Sequence, residues 1–295
     1  MDLLQVSRWP LWSNPDSRLY IDKIFARSSR YANWEPARQI ELGDYGMIDR
    51  TTGEFHKEGN IFVLESTKEF AKTELSITTG ATDHIQEYVS IDTSKANFKL
   101  DNEAEVPFLA TAALKTRYKF SKRRGAVLVM HCPQPSTLEG DLAKLPSEEI
   151  RGKHLVTQVI KCPHYFMFLS QKEAGHVSLV LQVDAPVPAG MQAGSSVGGV
   201  WHRSGIQGSY KASQPGQEYT PLFQTKVLKK LTRLRGARPP STAEEGWVPS
   251  APPWEMLDSN GKEWNGDNND DDDDDSDSDS EDNDSEDDGG NEKRR

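Results

Sequence analysis

Leu155-Val156-Thr157-Gln158-Val159-Ile160, Tyr165-Phe166-Met167-Phe168-Leu169 and Val177-Ser178-Leu179-Val180-Leu181-Gln182-Val183 follow one another within residues 155–183. Each run is short, rich in β-branched and aromatic residues, and bounded by turn-forming residues, which reads as a strand series rather than a helix. Gln171-Lys172-Glu173-Ala174-Gly175 between the last two suits a hairpin turn. Working backwards, Ala126-Val127-Leu128-Val129-Met130 reads as a buried strand stopped by Cys132-Pro133. Ile61–Leu64, Leu75–Thr78, His84–Ile91 and Glu105–Phe108 lean the same way, with Thr, Ser, Lys or Glu on alternate positions. That alternation is expected of a sheet with one face in water.

Three segments read as helices. Asp16–Ala26 places Tyr20, Ile24 and Arg27 at helical spacing. Leu138–Ile150 carries an imperfect apolar stripe broken near Pro146. Leu222–Leu234 puts Phe223, Val227, Leu231 and Leu234 on one stripe flanked by Lys226, Lys229, Lys230, Arg233 and Arg235, with Gly236 as C-cap. The expected fold class is α+β, a twisted antiparallel sheet with surrounding helices.

The 295 residues carry a formal net charge of −11, but unevenly. Residues 261–295 hold 17 Asp/Glu and 4 Lys/Arg, so the remaining 260 residues hold 29 acids and 31 bases. A nearly neutral body is followed by a polyanionic run that cannot bury a core and is expected to stay disordered. No apolar run approaches the roughly 18 residues of a spanning helix, although a β-barrel would escape that test. Met1-Asp2-Leu3-Leu4-Gln5 shows no secretory pattern, and two cysteines, Cys132 and Cys162, make no disulfide framework. A cytoplasmic setting is expected from this.

Candidate chemistry is sparse. His131-Cys132 and Cys162-Pro163-His164 offer thiols and imidazoles, but His131 and Cys132 on one strand should point to opposite faces, so neither metal binding nor Cys–His catalysis is expected. Asp267–Asp271 resembles the start of a calcium loop but has Asp272 where Gly is required and Ser278 where Glu is required. Gly194, Gly198 and Gly199 precede no Lys-Ser/Thr. No enzyme and no cofactor are therefore expected. Two cationic clusters remain, Lys115, Arg117, Lys119, Lys122, Arg123 and Arg124, and the group at 226–238. Such clusters suit phosphates, whether of lipid headgroups or of nucleic acid.

Ile40-Glu41-Leu42-Gly43-Asp44-Tyr45-Gly46-Met47-Ile48-Asp49, with Thr52-Gly53-Glu54-Phe55-His56-Lys57-Glu58-Gly59-Asn60-Ile61-Phe62, resembles the entry segment of fungal and bacterial gasdermin-like pore-forming proteins. Gly43, Asp44, Gly46, Gly59 and Asn60 carry the motif. Tyr118-Lys119-Phe120, Arg124–Leu128 and Gly152–Thr157 fit the same family, so the resemblance spans residues 1–235. It implies a pore-forming domain over 1–235, a linker or inhibitory segment over 236–265 and a disordered acidic tail over 266–295. It further implies homo-oligomerisation on acidic membrane lipids into a β-barrel, with movement from the cytoplasm to the plasma membrane and regulated cell death of the fungal heterokaryon-incompatibility type. The short polar C-terminal segment resembles the fungal arrangement in which a protease removes it; Arg235 and Arg238 are the expected cut sites. Two strand regions, 61–110 and 154–184, are expected to supply the barrel, and the hairpin 154–184 is expected to insert with Val177, Leu179, Leu181 and Val183 facing lipid. A different class is carried alongside, a nucleic-acid or chromatin-associated protein whose acidic tail covers basic patches. A pore-less lipid- or ligand-binding β domain is the third.

Overall fold

The computed structural model describes residues 16–99, 112–121, 123–146, 148–171, 175–183, 200–205, 208–214, 216–230, 245–255 and 257. In chain order the elements begin with α1 (Asp16–Ser28), β1 (Tyr31–Ala32), β2 (Asp44–Ile48), β3 (Phe55–Asn60) and α2 (Lys68–Glu74). Then come β4 (Ser76–Thr79), β5 (Ile85–Val89), β6 (Thr93–Ala96), β7 (Leu114–Phe120), β8 (Ala126–His131) and β9 (Gln134–Glu139). The last are β10 (His154–Cys162), β11 (His164–Ser170), β12 (Gly175–Gln182), β13 (Val200–Gly205), β14 (Gly208–Ala212), β15 (Tyr219–Lys230) and β16 (Glu245–Pro249). The class is mixed α+β, built mostly of antiparallel sheet with two α-helices among the described residues.

Three sheets form. The first, of eight strands, is organised by β10 and β15, which pair along most of their length. Each long strand shares its other edge between two short ones: β2 and β9 beside β10, β1 and β16 beside β15. The second sheet runs β14-β11-β8-β5 and the third β13-β12-β7-β6.

The second sheet is the middle layer, and its sequence says why. In β8, Ala126, Leu128 and Met130 face one core while Val127 and Val129 face another. In β11, Tyr165, Met167 and Leu169 face the first core, Phe166 and Phe168 the second. Strands apolar on both faces are buried on both faces. The first core is completed by the eight-stranded sheet and by α1, which buries Leu19, Tyr20, Ile21 and Ile24. Tyr20 donates its hydroxyl to the Val127 carbonyl at 3.1 Å, satisfying the one polar atom it carries into the core. The second core lies between the middle sheet and the third, which contributes Leu114, Tyr118, Phe120, Val177, Leu179 and Leu181.

α1 lies where the sequence places it, and ends with Ser29 at φ 55°. Neither of the other two expected helices is found among the described residues. Residues 138–150 hold the end of β9 and a single 3-10 turn, Leu142–Lys144, with Asp141 accepting from the Ala143 amide. Residues 222–230 belong to β15, not to a helix. The helical stripe there is also a strand pattern: Phe223, Thr225 and Val227 recur at period 2, and two of them are β-branched. The hairpin expected over 154–184 is likewise absent, because β10, β11 and β12 each lie in a different sheet.

Candidate functional site: two hairpins with a cationic face

The third sheet consists of two antiparallel pairs, β6–β7 and β12–β13, joined edge to edge through β7 and β12. Register assigns the faces. Leu114, Tyr118, Phe120, Val177, Leu179, Leu181 and Trp201 point to the second core. Lys115, Arg117 and Lys119 alternate with them on β7 and point the other way, beside Val180, Ser178 and His176 of β12. His202 and Ser204 continue that face on β13, with His202 Nε2 3.0 Å from Gln182 Oε1. The 25 residues of these four strands include no Asp or Glu. Their outer face is therefore cationic with nothing of its own to neutralise it.

Part of that face is covered. Ser178, Val180 and Gln182 are buried, and Ser178 donates to the Lys99 carbonyl. Lys115 and Lys119 are exposed and Arg117 is partly so. On the core side the sheet is latched by one polar cluster. Tyr118 donates its hydroxyl to Glu87 Oε2 of β5 at 2.7 Å, and Lys95 Nζ sits 2.8 Å from the same oxygen.

The sequence-predicted cations divide. Lys115, Arg117 and Lys119 share one face. Arg124 does not join them: its guanidinium pairs with Asp16 at 2.8 Å and donates from Nε to the Ser170 carbonyl, tying β8 to the start of α1. Arg123 is exposed, and Lys122 lies outside the described residues. Lys226 and Lys229, three apart on a strand, point to opposite faces of β15, so the expected cationic helix face does not exist. Lys229 is exposed and Lys226 half-buried; Lys230 pairs through its backbone with Glu245. Arg233, Arg235 and Arg238 lie outside the described residues.

The motif glycines build a clasp. Asp44 is fully buried, receiving the Glu41 amide at 2.9 Å and Asn60 Nδ2 at 2.8 Å, with Lys57 Nζ at 2.7 Å. Gly43 adopts φ +81°, and a Cβ there would lie 2.8 Å from the Phe62 ring. At Gly46 a Cβ would meet the His56 carbonyl oxygen at 1.9 Å, inside bonded-strand distance. These residues hold β2 on β3 and the turn onto β10.

The described residues from 245 onward pack on the body of the fold. β16 pairs with β15 from Lys226↔Pro249 to Lys230↔Glu245, and residues 1–264 belong to one compact unit. Trp254 is buried, donates its indole N–H to Asp22 and lies 5.2 Å below the Arg18 guanidinium. Arg18 also donates to the Glu255 carbonyl. Ser250 Oγ sits 2.9 Å from His154 Nδ1 and 3.1 Å from the Tyr31 hydroxyl. Burial pushes the Asp22 carboxyl up to about 6 against the pull of Trp254 and Arg18. Burial, then the Lys229 charge, lowers His154 to about 4.

The expectation that His131 and Cys132 diverge fails at one dihedral. Cys132 has φ 50°, a left-handed conformation costing about 1–3 kcal/mol for a residue with a Cβ. Its Sγ consequently lies 3.6 Å from His131 Nε2, and with His84 the donor atoms fall within 4.8 Å of one another. No periodicity argument could have found this, because the side-chain alternation it relies on stops at Cys132.

No protein-family model matches the chain, and no curated protein matches it. Among the described residues no helix is long and apolar enough to cross a membrane, which leaves crossing by strands untouched.

Proposed function

We propose that the protein is a gasdermin-like pore-former that binds acidic lipid surfaces, oligomerises and inserts the two hairpins of its third sheet as part of a transmembrane β-barrel. One observation carries the reading. The third sheet is two hairpins side by side, apolar on one face and cationic or hydroxylic on the other, which is the alternation a barrel strand needs between lipid and lumen. The lengths fit as well. β6 to β7 spans 28 residues (93–120) and β12 to β13 spans 31 (175–205). A bilayer strand takes about 9–11 residues, so each span suffices for two strands and a turn. From Gly175 to the residue before Pro186 the sequence offers 11 residues, 175–185, within that requirement. The inserting set is thus 93–120 and 175–205, replacing 154–184; Val177, Leu179 and Leu181 keep their assignment to the lipid face.

Lys115, Arg117 and Lys119 meet the headgroups first and line the wet lumen after insertion. Each cation near an anionic surface contributes about 1 kcal/mol. Removing three should weaken vesicle binding about 100-fold, and reversing them more. The test is dye leakage from vesicles of phosphatidylcholine with and without phosphatidylserine, using the full chain, a chain lacking 266–295, and Lys115→Glu/Arg117→Glu/Lys119→Glu. Leakage confined to the acidic vesicles and lost in the triple variant is the expected result. Absence of leakage from every form, together with a salt-dependent shift of nucleic acid lost in the same variant, would replace this reading by nucleic-acid binding. Binding to vesicles without leakage would reduce it to a lipid-binding domain.

The structure changes what proteolysis at Arg235 or Arg238 would do. A cut there leaves β16 paired to β15 and Trp254 seated on Asp22. Release would need those contacts to open after cleavage, so cleavage and activation are separable steps, measurable as a lag between the cut and the onset of leakage.

A further inference from the structure

We propose that His84, His131 and Cys132 form a zinc site at the open end of the middle sheet, with the fourth position taken by water. Three strand ends meet there. His131 is the last residue of β8, paired across to Ile85 on one side and His164 on the other. The Cys132 amide donates to the His84 carbonyl at 2.9 Å, fixing the two ligand-bearing segments against each other.

The geometry is that of a ligand set. With Zn–S about 2.3 Å and Zn–N about 2.0–2.1 Å, the S···N edge of a tetrahedron is about 3.6 Å. Cys132 Sγ and His131 Nε2 stand 3.6 Å apart. All three donor atoms lie within 4.8 Å of one another, and His84 is exposed. Thiolate with imidazole is the donor combination that selects zinc over calcium or magnesium.

A further observation points the same way: the left-handed Cys132, a strained residue immediately before Pro133, brings Sγ to the side of His131.

The experiment uses the reduced full chain stripped by chelator and titrated with Zn²⁺, and in parallel with Co²⁺, whose thiolate charge-transfer absorption reports sulfur in the coordination sphere. One equivalent of Co²⁺ with that band, displaced by one equivalent of Zn²⁺, is expected. Cys132→Ser should abolish the band, and His84→Ala, at an exposed position, should weaken binding at least 10-fold. Cys162→Ser should change neither, since that thiol is buried and belongs to the first core. The acidic run at 270–275 binds cations through carboxylates and gives no thiolate band, so it is separable from the site. A titration without the band, or a band that survives Cys132→Ser, overturns the proposal. So does affinity unmoved by His84→Ala while Cys132→Ser and His84→Ala both retain the parent's circular dichroism.

Discussion

The two apolar cores on either side of the middle sheet differ in how they are closed. Among the described residues the first draws on 33 buried side chains, from α1, α2, the eight-stranded sheet, one face of the middle sheet, connecting segments and Trp254. The second has ten, all from the middle and third sheets. Nothing helical covers the third sheet among the described residues, and its outer face is cationic. The first core is therefore tied by elements far apart in sequence, with β10 held on both edges. The second is a single interface between two four-stranded sheets. A region with fewer buried contacts opens at lower free energy than the whole. On the proposed reading, in which this sheet leaves the body to enter a bilayer, that is the useful place for weakness.

The largest test uses one chemical change in both places. Phe223 is buried in the first core, 5.6 Å from both Tyr31 and Phe55. Phe168 is buried in the second, 5.3 Å from Phe120. Deleting either ring removes about 3–5 kcal/mol of packing. Phe223→Ala should lower the global transition by that full amount. Phe168→Ala should spend most of it on early opening of the third sheet, seen as amide exchange of β6, β7, β12 and β13 that outruns exchange in β10 and β15. Equal global losses with uniform exchange would break the distinction between the cores.

A second test concerns the C-terminal strap that only the first core possesses. Asp22, raised from 3.8 to about 6, binds its proton more tightly when folded. It adds stability as pH falls below 6, complete below 3.8, and loses it as pH rises through 6. His154, lowered from 6.5 to about 4, does the reverse: its stability is present above 6.5 and lost as pH falls through 4. Each shift corresponds to about 3 kcal/mol at 1.36 kcal/mol per pKa unit. Their windows overlap, so between pH 4 and 6 they largely offset. Asp22→Asn should expose the His154 loss, with stability falling toward pH 4, and should stabilise the protein at pH 7, because a neutral side chain there avoids burying a charge. His154→Gln should expose the Asp22 gain, with stability rising toward pH 4. Denaturant midpoints at pH 4, 5, 6 and 7 decide it, through slopes rather than intercepts. Parallel profiles for both variants and the parent would show that neither group titrates in this window.

The α+β class and its mostly antiparallel strands were legible in the sequence, and the gaps have physical causes. β8 and β11 announce themselves because both faces are apolar, which is what a middle layer requires. α1 was readable from its Tyr20–Ile24 spacing. β15 was not, since Lys226, Lys229 and Lys230 mimic the polar side of a helix and the decisive partners, β10 and β16, are distant in sequence. Trp247 and Trp254 sit among prolines and acids, so composition reads as linker although two indoles pack on the first core. The cationic site was half visible: Lys115, Arg117 and Lys119 alternate openly along β7. That Arg124 serves α1 instead, through Asp16, depends on a contact 108 residues apart. The hairpin expected over 154–184 does not form because sequential strands, which normally pair, here each enter a different sheet: β10, β11 and β12.

The smallest expected effect probes the latch between the sheets. Tyr118 is fully buried, and its hydroxyl donates to a Glu87 carboxylate that also receives Lys95. Tyr118→Phe keeps the ring and its packing and removes one hydrogen bond to a charged acceptor, about 1.5–3 kcal/mol where the acceptor is fully cut off from water. Here Lys95 and solvent still serve Glu87, so the loss should be nearer 1 kcal/mol, about 2–4 °C of melting temperature for a domain of this size. The contact joins β7 to β5, so its loss falls on the interface between middle and third sheets and leaves β10 and β15 untouched. If that interface must part before insertion, the variant should permeabilise acidic vesicles faster than the parent, by about 5-fold for 1 kcal/mol, despite being less stable. Lys95→Met should act in the same direction but more weakly, since Lys95 is largely exposed and its ion pair screened. A slower onset in Tyr118→Phe, in step with its lower melting temperature, would mean that insertion needs this interface intact, and the weakness of the second core would then have no part in pore formation.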